Sequence, residues 1–276
     1  MTSAGESAGP ISRGLICYYS GSGNTKLACQ YIAGRIKSVR FDLFNVFRGG
    51  TPPIDNYDIL GFATFTDFLD PPQLMRLFMH SLPRQKGKPA FVFNTFGNVS
   101  GKTLWTLCRW ASSKGFRLLA AHSLHVPESY PPMVAGGHGN EEHPTIGELE
   151  AFNSFIAGLE WDFEQFRHNG RSHSTRTLAG MLLGWLPLLP RTLSKNEMGA
   201  KYVDASLCDE CGICRKICPY SAIELDPKPV FDLSKCYGCW SCYNHCPQKA
   251  IYTAKYRGRG HYPRPIESLK DKLKVS

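Results

Sequence analysis

Eight of the chain's eleven cysteines fall between Cys208 and Cys246, in two runs of the same spacing. The first reads C-x2-C-x2-C-x3-C-P through Cys208, Cys211, Cys214, Cys218 and Pro219, and Cys236, Cys239, Cys242, Cys246 and Pro247 repeat it 28 residues later. Ala222-Ile223 recurs as Ala250-Ile251 at the same offset, which makes the segment an internal duplication. Two-residue gaps let three thiolates of one loop converge on a single 4Fe-4S cube, and where a chain holds two cubes the fourth cysteine of each run crosses to the other. By that rule Cys208, Cys211, Cys214 and Cys246 bind one cluster, and Cys236, Cys239, Cys242 and Cys218 bind the second. Each proline turns the chain away after its distal cysteine. Gly212 and Gly238 let backbone come close to inorganic sulfur and take positive φ. Zinc is the rival reading, but zinc sites use wider pair spacing and do not need this run. Tyr220, Tyr237, Trp240 and Tyr243 either shield the clusters from water or simply pack.

A second chemical signal is Tyr19-Ser20-Gly21-Ser22-Gly23-Asn24-Thr25, set between a β-rich run and a helical pattern. A terminal phosphate needs convergent N–H groups, short hydroxyls and the positive end of a helix, and Ser20, Gly21, Ser22, Gly23, Asn24 and Thr25 offer all three. The loop lacks the lysine placement of a nucleoside-triphosphate loop and the G-x-G-x-x-G spacing of a dinucleotide site. FMN fits best, although a plain β-α turn also favours Gly and Ser. Lys26, next along, balances phosphate charge or is merely solvated.

The elements that must position these groups follow from periodicity. Residues 1 to 125 alternate short apolar runs with helical patterns, the rhythm of a parallel α/β sheet covered on both faces. Strands are expected at about 14 to 19, 40 to 46, 58 to 63, 90 to 94 and 117 to 124, and helices at about 24 to 37, 71 to 80, 101 to 115 and 145 to 166. The order suggests a flavodoxin-like doubly wound five-stranded sheet, with its ligand beyond the carboxyl ends of the strands. Pro52 and Pro53 shorten the connection from strand two to strand three to a turn. The expected organisation is an FMN-binding domain at 1–166, a linker with an apolar segment at 167–199, a two-cluster α+β domain at 200–255 and a basic tail at 256–276.

On these motifs the chain resembles the flavodoxin and two-cluster-ferredoxin fusion family, sometimes called EFR1-type ferrodoxins, over nearly its full length. Asn94-Thr95-Phe96-Gly97-Asn98 after strand four and Val126-Pro127-Glu128-Ser129-Tyr130 after strand five add to the likeness. The resemblance implies that Thr64, Phe65 and Thr66 form one wall of the flavin site and Thr95, Phe96, Gly97 and Asn98 the other. It also implies that Phe96, Phe65 or Phe68 lies against the ring, where an aromatic face excludes water. Core packing is the alternative for each. Unlike small flavodoxins, the chain lacks a strongly acidic surface and a clear Trp and Tyr pair in those loops.

Composition bounds the rest. At 276 residues, with 42% hydrophobic and 20% charged residues, the chain suits two globular domains. Met1 to Pro10 has no apolar signal core, so a cytoplasmic address is expected, and dense cysteines in a reducing compartment read as metal ligands. The net charge of +9 concentrates in residues 249 to 274, expected to be a solvated tail or a patch for an acidic partner or an anionic membrane surface. Nucleic acid is excluded for want of a recognition module. The run Leu178 to Pro190 is too short to span a bilayer; it docks on the domains or touches a membrane surface. Gly136 to His143 reads as a Gly-rich surface loop rather than a metal site, and Cys17, Cys29 and Cys108 as buried thiols.

The functional expectation is an anaerobe-type electron-transfer oxidoreductase. It moves electrons between the clusters and FMN, from a soluble low-potential donor such as ferredoxin to a partner protein or small acceptor, with the reverse flow equally compatible. The alternative is a redox carrier or adaptor without a substrate of its own, docked to a larger redox enzyme or a membrane surface. No catalytic residue is named by the sequence.

Overall fold

The computed structural model describes residues 11–170 and 191–274; the run Leu178 to Pro190 lies outside the described residues. Strands β1 (Ser12–Tyr18), β2 (Val39–Asn45), β3 (Ile59–Phe65), β4 (Pro89–Phe96) and β5 (Arg117–His125) form one parallel sheet in the order β2-β1-β3-β4-β5. Side chains alternate across it, so both faces need apolar cover. Ile16, Ile59, Phe91 and Phe93 pack on one face under α1 (Asn24–Arg35) and α5 (Ile146–Asn169). Leu15, Leu60, Phe62 and Val92 pack on the other under α2 (Gln73–Ser81) and α3 (Thr103–Ser113). A reversed strand order about β1 and β3 leaves the crevice beyond their carboxyl ends, where α1 also begins.

Between β2 and β3 the chain makes only short turns at Val46–Arg48 and Ile54–Asn56, as the paired prolines imply. One short helix, α4 (Pro131–Ala135), was not expected from the sequence. Asn94, Thr95 and Phe96 belong to β4 itself rather than to a loop after it, because their backbones continue the ladder to Ser123, Leu124 and His125. The Thr145 and Glu148 side chains form a reciprocal cap at the start of α5.

The second module contains α6 (Arg191–Met198), β6 (Lys201–Val203), α7 (Ile213–Lys216), β7 (Ile223–Asp226), β8 (Lys228–Phe231), α8 (Ser241–Asn244) and β9 (Ile251–Thr253). β6 pairs with β9 and β7 with β8, both antiparallel, so the sequence duplication becomes a structural one. The Cys208 amide donates to the Asp204 carbonyl at 3.1 Å and the Cys236 amide to Asp232 at 3.0 Å. The amides of Ala222 and Ala250 each donate to a cysteine sulfur, Cys218 and Cys246, at 3.3 Å.

Two expectations about boundaries are corrected. Residues 191–198 are not linker: they form α6, and Met198 is buried in the core of the cysteine module with Ile223, Tyr243 and Ile251. Nor is 256–274 a solvated tail. It returns to the sheet domain, where α9 (Glu267–Lys272) places Leu269 and Leu273 in the core beneath α1 and α5. The basic side chains stay on the surface while these apolar ones fill a gap in that layer.

Candidate redox site

The cysteine loops build two cavities. Cys208, Cys211, Cys214 and Cys246 line one, with Asp209, Glu210 and Pro229 at its edge. Cys218, Cys236, Cys239 and Cys242 line the other, with Lys201, Tyr220, Tyr237 and Trp240 around it. All eleven cysteines are free thiols. Burial pushes the Cys239 thiol up to about 12 and the Cys242 thiol well above its usual range. Four sulfurs around each cavity make a donor set suited to iron, whose positive charge replaces the thiol protons. Burial likewise keeps the Tyr220 hydroxyl protonated, while its ring stacks on Tyr237 at 4.5 Å.

The repeat also reveals strain. Gly212 and Gly238 have φ of 70° and 77°, and the Gly238 amide donates to the Cys236 sulfur at 3.4 Å. Their sister positions carry Trp240 and Glu210, at φ 60° and 59°, in a region that costs L-residues roughly 1–2 kcal/mol. Trp240 is 2% exposed, and its indole N–H has no hydrogen-bond partner among the described residues.

Beyond the sheet's carboxyl edge lies a cleft of about 350 Å³. One side is the phosphate-type loop and the loops after β3, β4 and β5: Tyr19, Gly21, Ser22, Phe65, Thr66, Phe68, Gly97, Asn98, Glu128 and Tyr130 all reach it. Its opposite side is supplied by the cysteine module, through Gly238, Cys239, Trp240, Ser241, Asn244 and His245. Cys239, Trp240 and Ser241 therefore wall both the cleft and one sulfur cavity. A smaller recess continues toward α1, lined by Gly21, Ser22, Asn24, Thr25, Thr95, Phe96 and Gly97.

The expected flavin contacts are distributed unevenly. Phe65 lines the cleft and meets Tyr19 at 5.4 Å between centroids, and Phe68 meets Tyr130 edge-on at 5.6 Å. Phe96 instead stacks on His125 at 4.8 Å and reaches only the recess. Thr64 is fully buried and lines neither space, because strand alternation turns it to the opposite side from Phe65; the wall begins at Phe65. Thr95 is buried too, its hydroxyl 2.8 Å from that of Thr25.

At the start of α1 the polar groups are partly engaged. The Ser20 hydroxyl accepts from the amides of Gly23 at 3.1 Å and Lys26 at 3.3 Å, which fixes the loop. Asn24 donates to the Pro127 carbonyl and accepts from the Tyr262 hydroxyl at 3.1 Å. Gly23 takes φ 100°, and a Cβ there would lie 2.9 Å from Pro265. The helix N-terminus still faces the recess, alongside the Ser22 side chain. An apolar, aromatic-walled cleft running into a helix N-terminus fits a flat ring carrying a phosphate arm.

Sequence reasoning missed several members of this site. Leu69, at φ 69° beside Phe68 at φ 51°, shapes the loop after β3. Gly101 must lack a side chain because a Cβ would lie 2.5 Å from the Leu69 Cα. Glu128 accepts from the amides of Ser129 and Tyr130 at 2.8 and 2.9 Å and from the Asn98 amide at 2.9 Å, which holds a carboxylate at the cleft. Gly136 to His143 is a surface loop tied to the site: Asn140 donates to the Gly97 carbonyl at 3.0 Å, and His143 and His125 both bond Glu148. Although burial opposes ionisation, hydrogen bonds from His143, Thr145 and His125 hold Glu148 down at about 2.

Fold and site together define a flavodoxin-like α/β domain joined to a two-cluster 4Fe-4S module. Comparison with known proteins gives the module's relatives: residues 207–250 match the 4Fe-4S dicluster domain family. A ferredoxin of Pyrobaculum islandicum is 43% identical over 61 residues, covering 20% of this chain. The chain spans 57% of that ferredoxin's length. Among solved structures, an archaeal flavodoxin aligns over 55% of this chain and 99% of its own, at 16% identity and TM-score 0.40. A Streptococcus pneumonia TIGR4 flavodoxin aligns over 54% and 97%, at 17% identity and TM-score 0.43. The rubredoxin oxygen:oxidoreductase of Desulfovibrio gigas aligns over 58% and 38%, at 15% identity and TM-score 0.43. The strand order itself, rather than these distant likenesses, defines the sheet domain. No helix among the described residues is long and apolar enough to cross a membrane.

Proposed function

We propose that this chain is an iron-sulfur flavoprotein of the EFR1-type ferrodoxin family. In this reading Cys208, Cys211, Cys214 and Cys246 hold an outer cluster, and Cys218, Cys236, Cys239 and Cys242 an inner one. FMN lies in the cleft, its ring between the Phe65–Phe68 loop and the Gly97–Asn98 loop and its phosphate toward Ser22 and the start of α1. One observation carries the proposal: Cys239, Trp240 and Ser241 are shared walls of the cleft and of a sulfur cavity. When bound, the clusters supply single electrons and FMN stores a pair. The residues around them do the rest. Cysteine sulfurs hold iron, Trp240 and Tyr19 exclude water between the two sites, and Glu128 anchors the loop after β5 by accepting three hydrogen bonds.

Because the cysteine module covers the cleft, an external one-electron partner is expected to meet the outer cluster, beside the exposed Cys211. A soluble low-potential protein such as ferredoxin suits that role, with a partner protein or small molecule as acceptor. Anaerobic purification tests the reading: about eight iron atoms and one FMN per chain are expected. Zinc in place of iron, or failure to take up FMN, would refute it.

A further inference from the structure

The two sulfur sites are copies of one another, yet their electrostatic surroundings differ. Lys201, at the start of β6, is 7% exposed, and its Nζ lies 2.8 Å from the Cys236 Sγ and 5.4 Å from the centre of the Phe231 ring. None of the ion pairs among the described residues includes it. Burying an ammonium without a carboxylate is expensive unless another anion stands by. The duplication supplies the internal comparison, since the position 28 residues later is Pro229, which lines the outer cavity and carries no charge. That outer cavity is edged instead by Asp209 and Glu210. Asp209 accepts from the Gln248 side-chain amide at 3.0 Å and the Cys211 backbone N–H at 3.3 Å, and Glu210 pairs with Lys228 at 3.1 Å.

We propose that Lys201 makes the inner cluster the more readily reduced of the two, and so directs electrons inward, from the outer site toward the cleft. The inference rests on the two-cluster reading above. Four thiolates make a loaded site anionic, and each added electron makes it more so. An ammonium donating to a ligand sulfur therefore stabilises the reduced form more than the oxidised one. At the outer site Asp209 acts in the opposite sense, while the charge of Glu210 is offset by its partner Lys228. The transfer balances as one electron lost by the reduced outer cluster and one gained by the inner cluster, with the outer site replenished by a one-electron donor of the ferredoxin class. Lys201 acts through Cys236 and is a tuning residue, not a catalytic one.

The test is a redox titration of the anaerobic full-length protein, followed by electron paramagnetic resonance, in the wild type, Lys201→Met and Lys201→Arg. Cys211→Ser identifies the outer cluster's signal. In Lys201→Met the inner cluster's ratio of reduced to oxidised form at a fixed potential should fall at least tenfold, about 59 mV for a one-electron couple. The outer cluster should stay where it was, and Lys201→Arg should retain most of the wild-type value. An unmoved inner cluster, an equal shift of both, or an arginine variant no different from the methionine one would overturn the proposal. So would loss of half the iron from Lys201→Met, which would assign the lysine to holding the cluster rather than tuning it. A wild-type protein without iron would sink the two-cluster reading itself and is told apart by metal analysis before any titration.

Discussion

Single residues decide how tightly the cleft is drawn. A Cβ on Gly97 would lie 2.3 Å from the Glu128 Oε2 and 2.9 Å from its Cα, so the loop after β5 must retreat in Gly97→Ala. FMN affinity, followed by fluorescence quenching, is expected to fall about tenfold, or about 1.4 kcal/mol, with iron content unchanged. His122 is a separate case. Burial among Phe93, Phe152 and Phe155 pulls it down to about 4. The unfolded chain takes up this proton near pH 6.5, so the stability it contributes is full above that pH and is lost as pH falls toward 4. The loss is on the order of 3 kcal/mol. Denaturant midpoints measured across that range should slope in the wild type and flatten in His122→Phe. Glu148 adds a later loss, from its ordinary range near 4.5 down to about 2. The cysteine spacing was fully legible at this scale. The left-handed Trp240 was not, because its sister position is Gly212 and nothing in a tryptophan marks a site that favours glycine.

Strands and helices could be placed from the sequence because their apolar periods are local: β1, β3 and β4 are nearly continuous buried runs, and α5 carries its own cap. Residues 256–274 lacked such a signal. Tyr262, Leu269 and Leu273 are sparse among charges, and their burial depends on a core contributed by residues far away in the chain. The same distance makes α9 a sensitive test of the arrangement. Leu269 is fully buried, so Leu269→Ala should cost about 2–5 kcal/mol and speed amide exchange at the start of α1. A solvated tail would give neither effect. Tyr262→Phe, which removes only the hydroxyl bonded to Asn24, should cost about 1 kcal/mol.

The whole molecule joins a large core to a small one. The sheet domain packs two apolar layers, whereas the cysteine module buries few large side chains besides its sulfur ligands. Iron is therefore expected to supply much of the module's folding energy. Chelation should abolish exchange protection in β6 to β9 while β1 to β5 stay protected, and FMN affinity should fall as one side of the cleft is lost. Hydrogen exchange with and without chelator reads both. The return of the chain to its starting domain also has a consequence during synthesis. Leu269 and Leu273 belong to a layer whose other members are made first, so that layer stays incomplete until the chain as far as Leu273 has emerged from the ribosome. The nascent sheet must wait with an open seam beneath α1 and α5, and the intervening module has that interval in which to receive its metal.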